Sequence, residues 1–176
     1  MQHFEVYKAI AKLKELERKG WVQREVSSKL GGSRIESVAE HVFSTGLFAL
    51  YVIKQEKLKL DEDKVLKMIL FHDIGEAYIG DIAPADKISK EKKYMLEKTA
   101  VKKFANLFEW GGVFELWQEF ETAITPEAKF VKKLDKLDAV MQAKIYSEKL
   151  EDNNQLFEEF FNYGKENMGE LIKFAK

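Results

Sequence analysis

Apolar side chains recur every three or four residues along most of the chain, the spacing that gathers them on one stripe of an α-helix. Val6, Ile10, Leu13 and Leu16 or Glu17 set such a stripe over about residues 3 to 18. The segments KGWVQREV and KLGGSR interrupt the pattern and predict a connecting loop. Val38, His41, Val42, Thr45, Phe48 and Val52 restore it over about 38 to 55, and Ser37 followed three residues later by Glu40 is a capping-box pattern that sets the start. Asp61 can cap a helix over about 62 to 73, with Val65, Leu66 and Ile69 facing inward. GEAYIGDIAPADKI, carrying two glycines and a proline, predicts the longest irregular segment, ahead of a helix near 90 to 108. Gly111 and Gly112 precede FELWQEFETA, and Thr125 with Pro126 at the first helical position opens a helix through about Ser147. A last helix is expected over about 153 to 173. With two prolines, ten glycines, and no repeat or linker, residues 1–176 read as one all-α domain, a compact bundle of six or seven helices.

Composition narrows the function more than the fold. The chain has no cysteine, which excludes disulfides, thiolate metal sites and cysteine nucleophiles, and makes a reducing, cytoplasmic setting the expectation. Its 29 basic and 30 acidic residues leave a formal net charge of -1, so the positive field needed for nonspecific polyphosphate binding is missing and no nucleic-acid partner is expected. No run of about 18 apolar residues exists, so no membrane partner is expected either.

Scarce residues point to the chemistry. Of three histidines, His41 and His72 fall on inward helical faces, and Asp73 directly follows the second. The stripe Val131, Leu134, Met141 and Ile145 carries Asp135 and Asp138, acids that are costly among apolar neighbours unless a cation or donor meets them. Two internal His to Asp pairs would explain the burial. A divalent metal shared by two imidazoles and two carboxylates would explain it and the polar, glycine-containing loop that follows.

His41, the doublet His72 and Asp73, and a later Asp135 resemble the H...HD...D pattern of HD-domain metal-dependent phosphohydrolases. The segments GWVQREV, ESVAEH, FHDIGEAYIGDIAPADK, LWQEFE and PEAKFVKKLDKLDAVMQA are similar, in order, to the HD-domain 5'-deoxynucleotidases. The resemblance covers about residues 4 to 147, with a signature region of about 34 to 147 and the C-terminal helix expected to pack on it. It implies one divalent ion on His41, His72, Asp73 and Asp135, removal of the 5' phosphate from deoxyribonucleoside monophosphates, and a homodimer. Asp138, one turn further on, is left behind the ligands.

Glu76 in HDIGE occupies the position of that family's catalytic glutamate, and it lies one helical turn past the doublet, where a carboxylate that binds no metal can still face the reacting water. The resemblance gives Asp81 a catalytic and substrate-contacting part, and makes Ile82, Ala83 and Pro84 substrate contacts; beside Gly80, Asp81 could equally be a turn-former. It also places a tryptophan, here Trp21, and an arginine at the nucleotide. Arg24 is the nearer match for the arginine and Arg18 the alternative. Trp21 and Asp81 would then lie near the sugar, favouring deoxyribose with little choice among bases. His3 is the one remaining histidine, so a second histidine-built metal site is not expected. Manganese, cobalt, zinc and magnesium all suit mixed imidazole and carboxylate ligands. Two other functions stay open: a phosphohydrolase of the same superfamily acting on nucleoside triphosphates or signalling nucleotides, and a metal-stabilised binding module without turnover.

Overall fold

The computed structural model describes residues 2–83 and 86–175, and these are helical and without strands. Pro84 lies outside the described residues. Seven long helices carry the architecture: α1 (Gln2–Glu15), α4 (Val38–Glu56), α5 (Glu62–His72), α7 (Lys90–Phe108), α8 (Gly112–Thr122), α9 (Pro126–Leu150) and α10 (Gln155–Met168). Three single turns join them, α2 (Lys19–Val22), α3 (Val26–Lys29) and α6 (Glu76–Ile79), and a 3-10 helix, Gly169–Ala175, ends the chain. None of the helices among the described residues is long and apolar enough to cross a membrane.

Start signals act where the side chains announce them. Ser37 and Glu40 form a capping box at the start of α4, Asp61 accepts from the Lys64 amide at α5, and Thr125 accepts from the Ala128 amide at α9 with Pro126 beside it. These caps satisfy amides that have no partner inside the helix. The helices enclose a main core of Val52, Met68, Ile69, Val131, Leu134 and Leu137, and a second core under α1 and α7 built on Val101, Phe104, Val113 and Trp117. Among these, α9 contacts α4, α5, α8 and α10, so residues projecting from α9 reach the centre of the molecule.

Several sequence expectations are corrected. The first helix stops at Glu15, before the expected 18, because Glu17 pairs with Ser37 in an isolated antiparallel bridge and Arg18 donates its amide to the Glu36 carbonyl at 3.0 Å. Its buried positions are Ala9 and Leu13, while Ile10 is exposed. On α9 the inward face runs through Leu137, Val140 and Ala143, leaving Ile145 exposed and Met141 half-buried. That helix is covered on a second side by α10, so no single stripe describes it. The expected loop after α1 contains the single turns α2 and α3, and the segment after α5 begins with the helical turn α6.

Candidate active site at the α4, α5 and α9 junction

Each candidate ligand comes from a different part of the bundle. His41 sits one turn into α4 and is fully buried. His72 ends α5, and Asp73 is that helix's C-cap, with φ −105° and ψ 9°, so the backbone leaves the helix at the doublet and turns Asp73 toward the same point. Asp135 and Asp138 project from successive turns of α9.

Their geometry is convergent. His41 Nε2 lies 3.3 Å from Asp135 Oδ1 and 3.7 Å from Asp73 Oδ2, and His72 Nε2 lies 3.2 Å from the same Asp73 oxygen. Neither Nε2 makes a hydrogen bond, although both are buried. The opposite ring nitrogens are occupied: His41 Nδ1 is 2.7 Å from Asp138 Oδ2, and His72 Nδ1 is 2.7 Å from the Ile69 carbonyl oxygen. Those partners accept from Nδ1–H, which fixes the tautomer and leaves each Nε2 lone pair facing the junction. Asp138 is itself held by the Ser44 hydroxyl at 2.7 Å. A buried nitrogen lone pair without a donor is costly, and two of them beside two carboxylates are relieved together by one cation. The donor set therefore fits a metal ion: one ligand atom each from His41, His72 and Asp73 lies within 4.8 Å of the others.

The electrostatics agree. Burial and Arg18 oppose a positive His41, yet Asp135 and Asp138 push its pKa up to about 9, so without an ion these acids favour a proton on Nε2, the position a metal would take in its place. Burial opposes ionisation of Asp73, but His72, Arg18 and His41 hold it below the usual carboxylate range. Asp135 is likewise held low against burial, chiefly by Lys136 and His41. The junction thus keeps its acids ionised and favours a cation.

A cavity of about 380 Å³ opens over this point. Glu76 starts α6 and borders it; this carboxylate is buried, and its Oε2 has no hydrogen-bond partner. Burial, then Asp73 and Asp81, push Glu76 well above the ordinary glutamate range, while Arg18 and Lys93 pull it back. Gly75 makes this placement possible, since a Cβ there would stand 3.0 Å from Val101 Cγ2 on α7. Asp81, Ile82 and Ala83 border the cavity as well, and Asp81 Oδ2 accepts the Lys19 backbone amide at 2.7 Å, tying this segment to α2. Gly80 allows the turn between α6 and Asp81 with φ +77°.

The two arginines separate clearly. Arg18 Nη1 reaches Asp73 Oδ2 at 3.3 Å, and its charge is reinforced by Asp73, Asp81, Asp135 and Glu76 despite burial. Arg24 stands at the cavity wall, paired with Glu159 of α10 and stacked over Phe160 at 4.6 Å. Trp21 lines the cavity with little of its surface: it is 2% exposed, stacks on Phe160 with ring centroids 4.4 Å apart, and donates from Nε1 to Glu36 at 2.7 Å. His3 lies on α1, outside the cluster.

Sequence reasoning missed Lys93, Lys136, Glu36 and the α10 residues Glu159, Phe160 and Tyr163, which complete the site's surroundings. Lys136 directly follows Asp135, which is the signal the sequence offers for it. The α10 residues carried no signal beyond an amphipathic stripe, because only the tertiary fold brings that helix over the cavity.

An all-helical bundle whose core opens onto two histidines and an aspartate able to hold one metal ion marks a class of helical proteins with a metal-binding core. Residues 10–173 match the HD domain, and the chain belongs to the HD-domain family, among its 5'-deoxynucleotidases. The HD domain is metal-dependent, in keeping with the His41, His72 and Asp73 cluster. Human 5'-deoxynucleotidase HDDC2 is 37% identical over 171 residues, covering 94% of this chain and 79% of the relative. The Dictyostelium discoideum 5'-deoxynucleotidase HDDC2 is 39% identical over 152 residues, 82% of this chain and 77% of its own. Among solved structures, a conserved hypothetical protein from Pyrococcus furiosus superposes with a TM-score of 0.77 at 27% identity, covering 98% of both chains.

Proposed function

We propose that this protein is a phosphomonoester hydrolase that removes the 5' phosphate from deoxyribonucleoside monophosphates, giving a deoxynucleoside and inorganic phosphate. The observation that carries this reading is the pair of buried, unpartnered Nε2 atoms of His41 and His72 facing Asp73 and Asp135 under an open cavity. The relatives named as 5'-deoxynucleotidases supply the substrate class. The cavity's 380 Å³ lies at the small end of the roughly 300–1,000 Å³ range of ligand sites, which suits a mononucleotide better than a long polyphosphate.

In this reading His41, His72, Asp73 and Asp135 hold one divalent ion, with manganese, cobalt, zinc and magnesium all compatible. When bound, the ion polarises the phosphoryl group and makes the attacking water more acidic. Glu76 takes the water proton as the water oxygen bonds to phosphorus and the bond to the 5' oxygen breaks. That oxygen leaves with the electron pair and takes up a proton to become the 5' hydroxyl. Arg18, already beside Asp73, balances charge on the equatorial oxygens, a task its planar fork suits. Asp81, tethered to Lys19, frames the substrate with Ile82 and Ala83. Trp21 and Arg24 form the wall toward the nucleoside, held there by Phe160 and Glu159. The chain as a whole, residues 1–176, acts as a single domain.

The protein works as a homodimer in the cytoplasm. The cysteine-free composition supports the compartment, and the exposed stripe Phe43, Leu47 and Tyr51 on α4 supports self-association. The deciding experiment is phosphate release from metal-stripped protein resupplied with each ion, using dAMP, AMP and dATP. Orthophosphate from dAMP in preference to AMP is the expected result. Release of triphosphate from dATP with dAMP untouched would replace this reading by a triphosphohydrolase.

A further inference from the structure

Among the described residues, four cationic side chains border the cavity: Arg18, Arg24, Lys93 and Lys136. Three are closely engaged. Arg18 reaches Asp73, Lys136 Nζ stands 2.8 Å from Asp135 Oδ2, and Arg24 bonds both Glu159 and the Gly20 carbonyl. Lys93 differs. Its ammonium is 3.5 Å from Glu97 Oε1 and 3.5 Å from the Ile82 carbonyl oxygen, both at the outer edge of hydrogen-bond reach. An ammonium has three donors, so this group keeps capacity for a stronger acceptor.

Its position adds to this. Lys93 rises from the first turn of α7, and its side chain is 43% exposed while still lining the cavity. Burial opposes its charge, but Glu97, Asp73 and Glu76 favour it, which places the ammonium within electrostatic reach of the cavity floor. A phosphate monoester brings about two negative charges into a space already bordered by Asp73, Glu76, Asp81 and Asp135. A loosely held cation at that border is what such a ligand requires.

We propose that Lys93 Nζ contacts the phosphate of the bound nucleotide, approaching from α7 while Arg18 approaches from the connection between α1 and α2. The inference rests on the phosphohydrolase reading above for its ligand. Moving from Ile82 and Glu97 to a phosphate oxygen exchanges two long contacts for one charge-assisted hydrogen bond.

The test is calorimetric binding of inorganic phosphate to the manganese-loaded protein, where no turnover intervenes, together with KM and kcat for dAMP. Lys93→Gln should weaken phosphate binding by about 10- to 100-fold and raise KM for dAMP, with melting temperature and metal content unchanged. Lys93→Arg should recover part of the loss, and Glu97→Gln should bind phosphate at least as well as wild type because it releases the ammonium. Unchanged phosphate binding in Lys93→Gln overturns the proposal, as does wild-type protein that binds no phosphate. A Glu97→Gln protein that reproduces the loss also overturns it, since Lys93 would then only brace α7. Phosphate binding that depends on Lys93, without hydrolysis of dAMP, keeps this contact and rejects the nucleotidase reading instead.

Discussion

Asp135 and Asp138 stand one turn apart on α9, and what separates their parts is the nitrogen of His41 that each meets. Asp135 faces Nε2 at the junction, whereas Asp138 binds Nδ1 behind it and is braced by Ser44. Losing a ligand removes a bond to the ion, while losing the group behind a ligand costs about 10- to 100-fold in metal affinity. Asp135→Ala should therefore emerge from dialysis without metal, and Asp138→Ala should retain it at a weaker dissociation constant. Metal analysis that finds the reverse order would dismiss the assignment. Glu76 makes a different prediction, because it borders the cavity and its buried Oε2 has no hydrogen-bond partner. Glu76→Gln preserves shape and should leave metal content and melting temperature in place, yet lower turnover by about 10² to 10⁴. Full activity in that variant would move the base elsewhere.

At the scale of elements, the cap of α9 is the local device with the widest reach, since that helix carries both aspartates and contacts α4, α5, α8, α10 and the 3-10 helix Gly169–Ala175. Thr125 accepts from the Ala128 amide and donates to Glu119 of α8, so it also ties two helices together. Thr125→Ala should cost about 1 kcal/mol, which lowers the melting temperature of a domain this size by about 2–4 °C. Metal affinity should hold, because Asp135 sits more than two turns into the helix. A thermal melt with a shift near zero would show that neighbouring helices, not the cap, set this end. The same elements explain what could be read beforehand. Caps and stripes are local, so α4, α5 and α9 are legible from Ser37, Asp61, Thr125 and their apolar periods. His41 and His72 were legible because imidazoles stood on those stripes. Ile10, Met141 and Ile145 misled because a stripe drawn by spacing cannot tell which neighbour arrives to cover it. The single turns α2, α3 and α6 are too short to show a period. Lys93 and Tyr163 reach the cavity only through the packing of α7 and α10, which no sequence spacing encodes.

For the molecule as a whole, the metal site proposed above is a joint between α4, the end of α5 and α9, parts of the chain brought together only by the fold. Emptying it leaves two buried imidazole nitrogens without partners and brings ionised Asp73 and Asp135 together with no divalent charge between them. Unfolding releases this arrangement, whereas a bound ion favours the folded chain by mass action. At free metal about 100 times its dissociation constant the gain is about 2.7 kcal/mol. For a chain of this length that corresponds to about 5–11 °C in melting temperature. Stripped protein should therefore melt that much lower than protein resupplied with manganese or zinc. His41→Ala should melt at one temperature with or without the ion, because the joint can no longer close around it. The shift should also grow with the logarithm of metal concentration, as linkage requires and as nonspecific surface binding to scattered acids does not. A stripped protein whose melting temperature ignores added metal would mean that Arg18, Lys136 and the two histidines balance the buried acids without an ion, and the junction would then be a structural ion network.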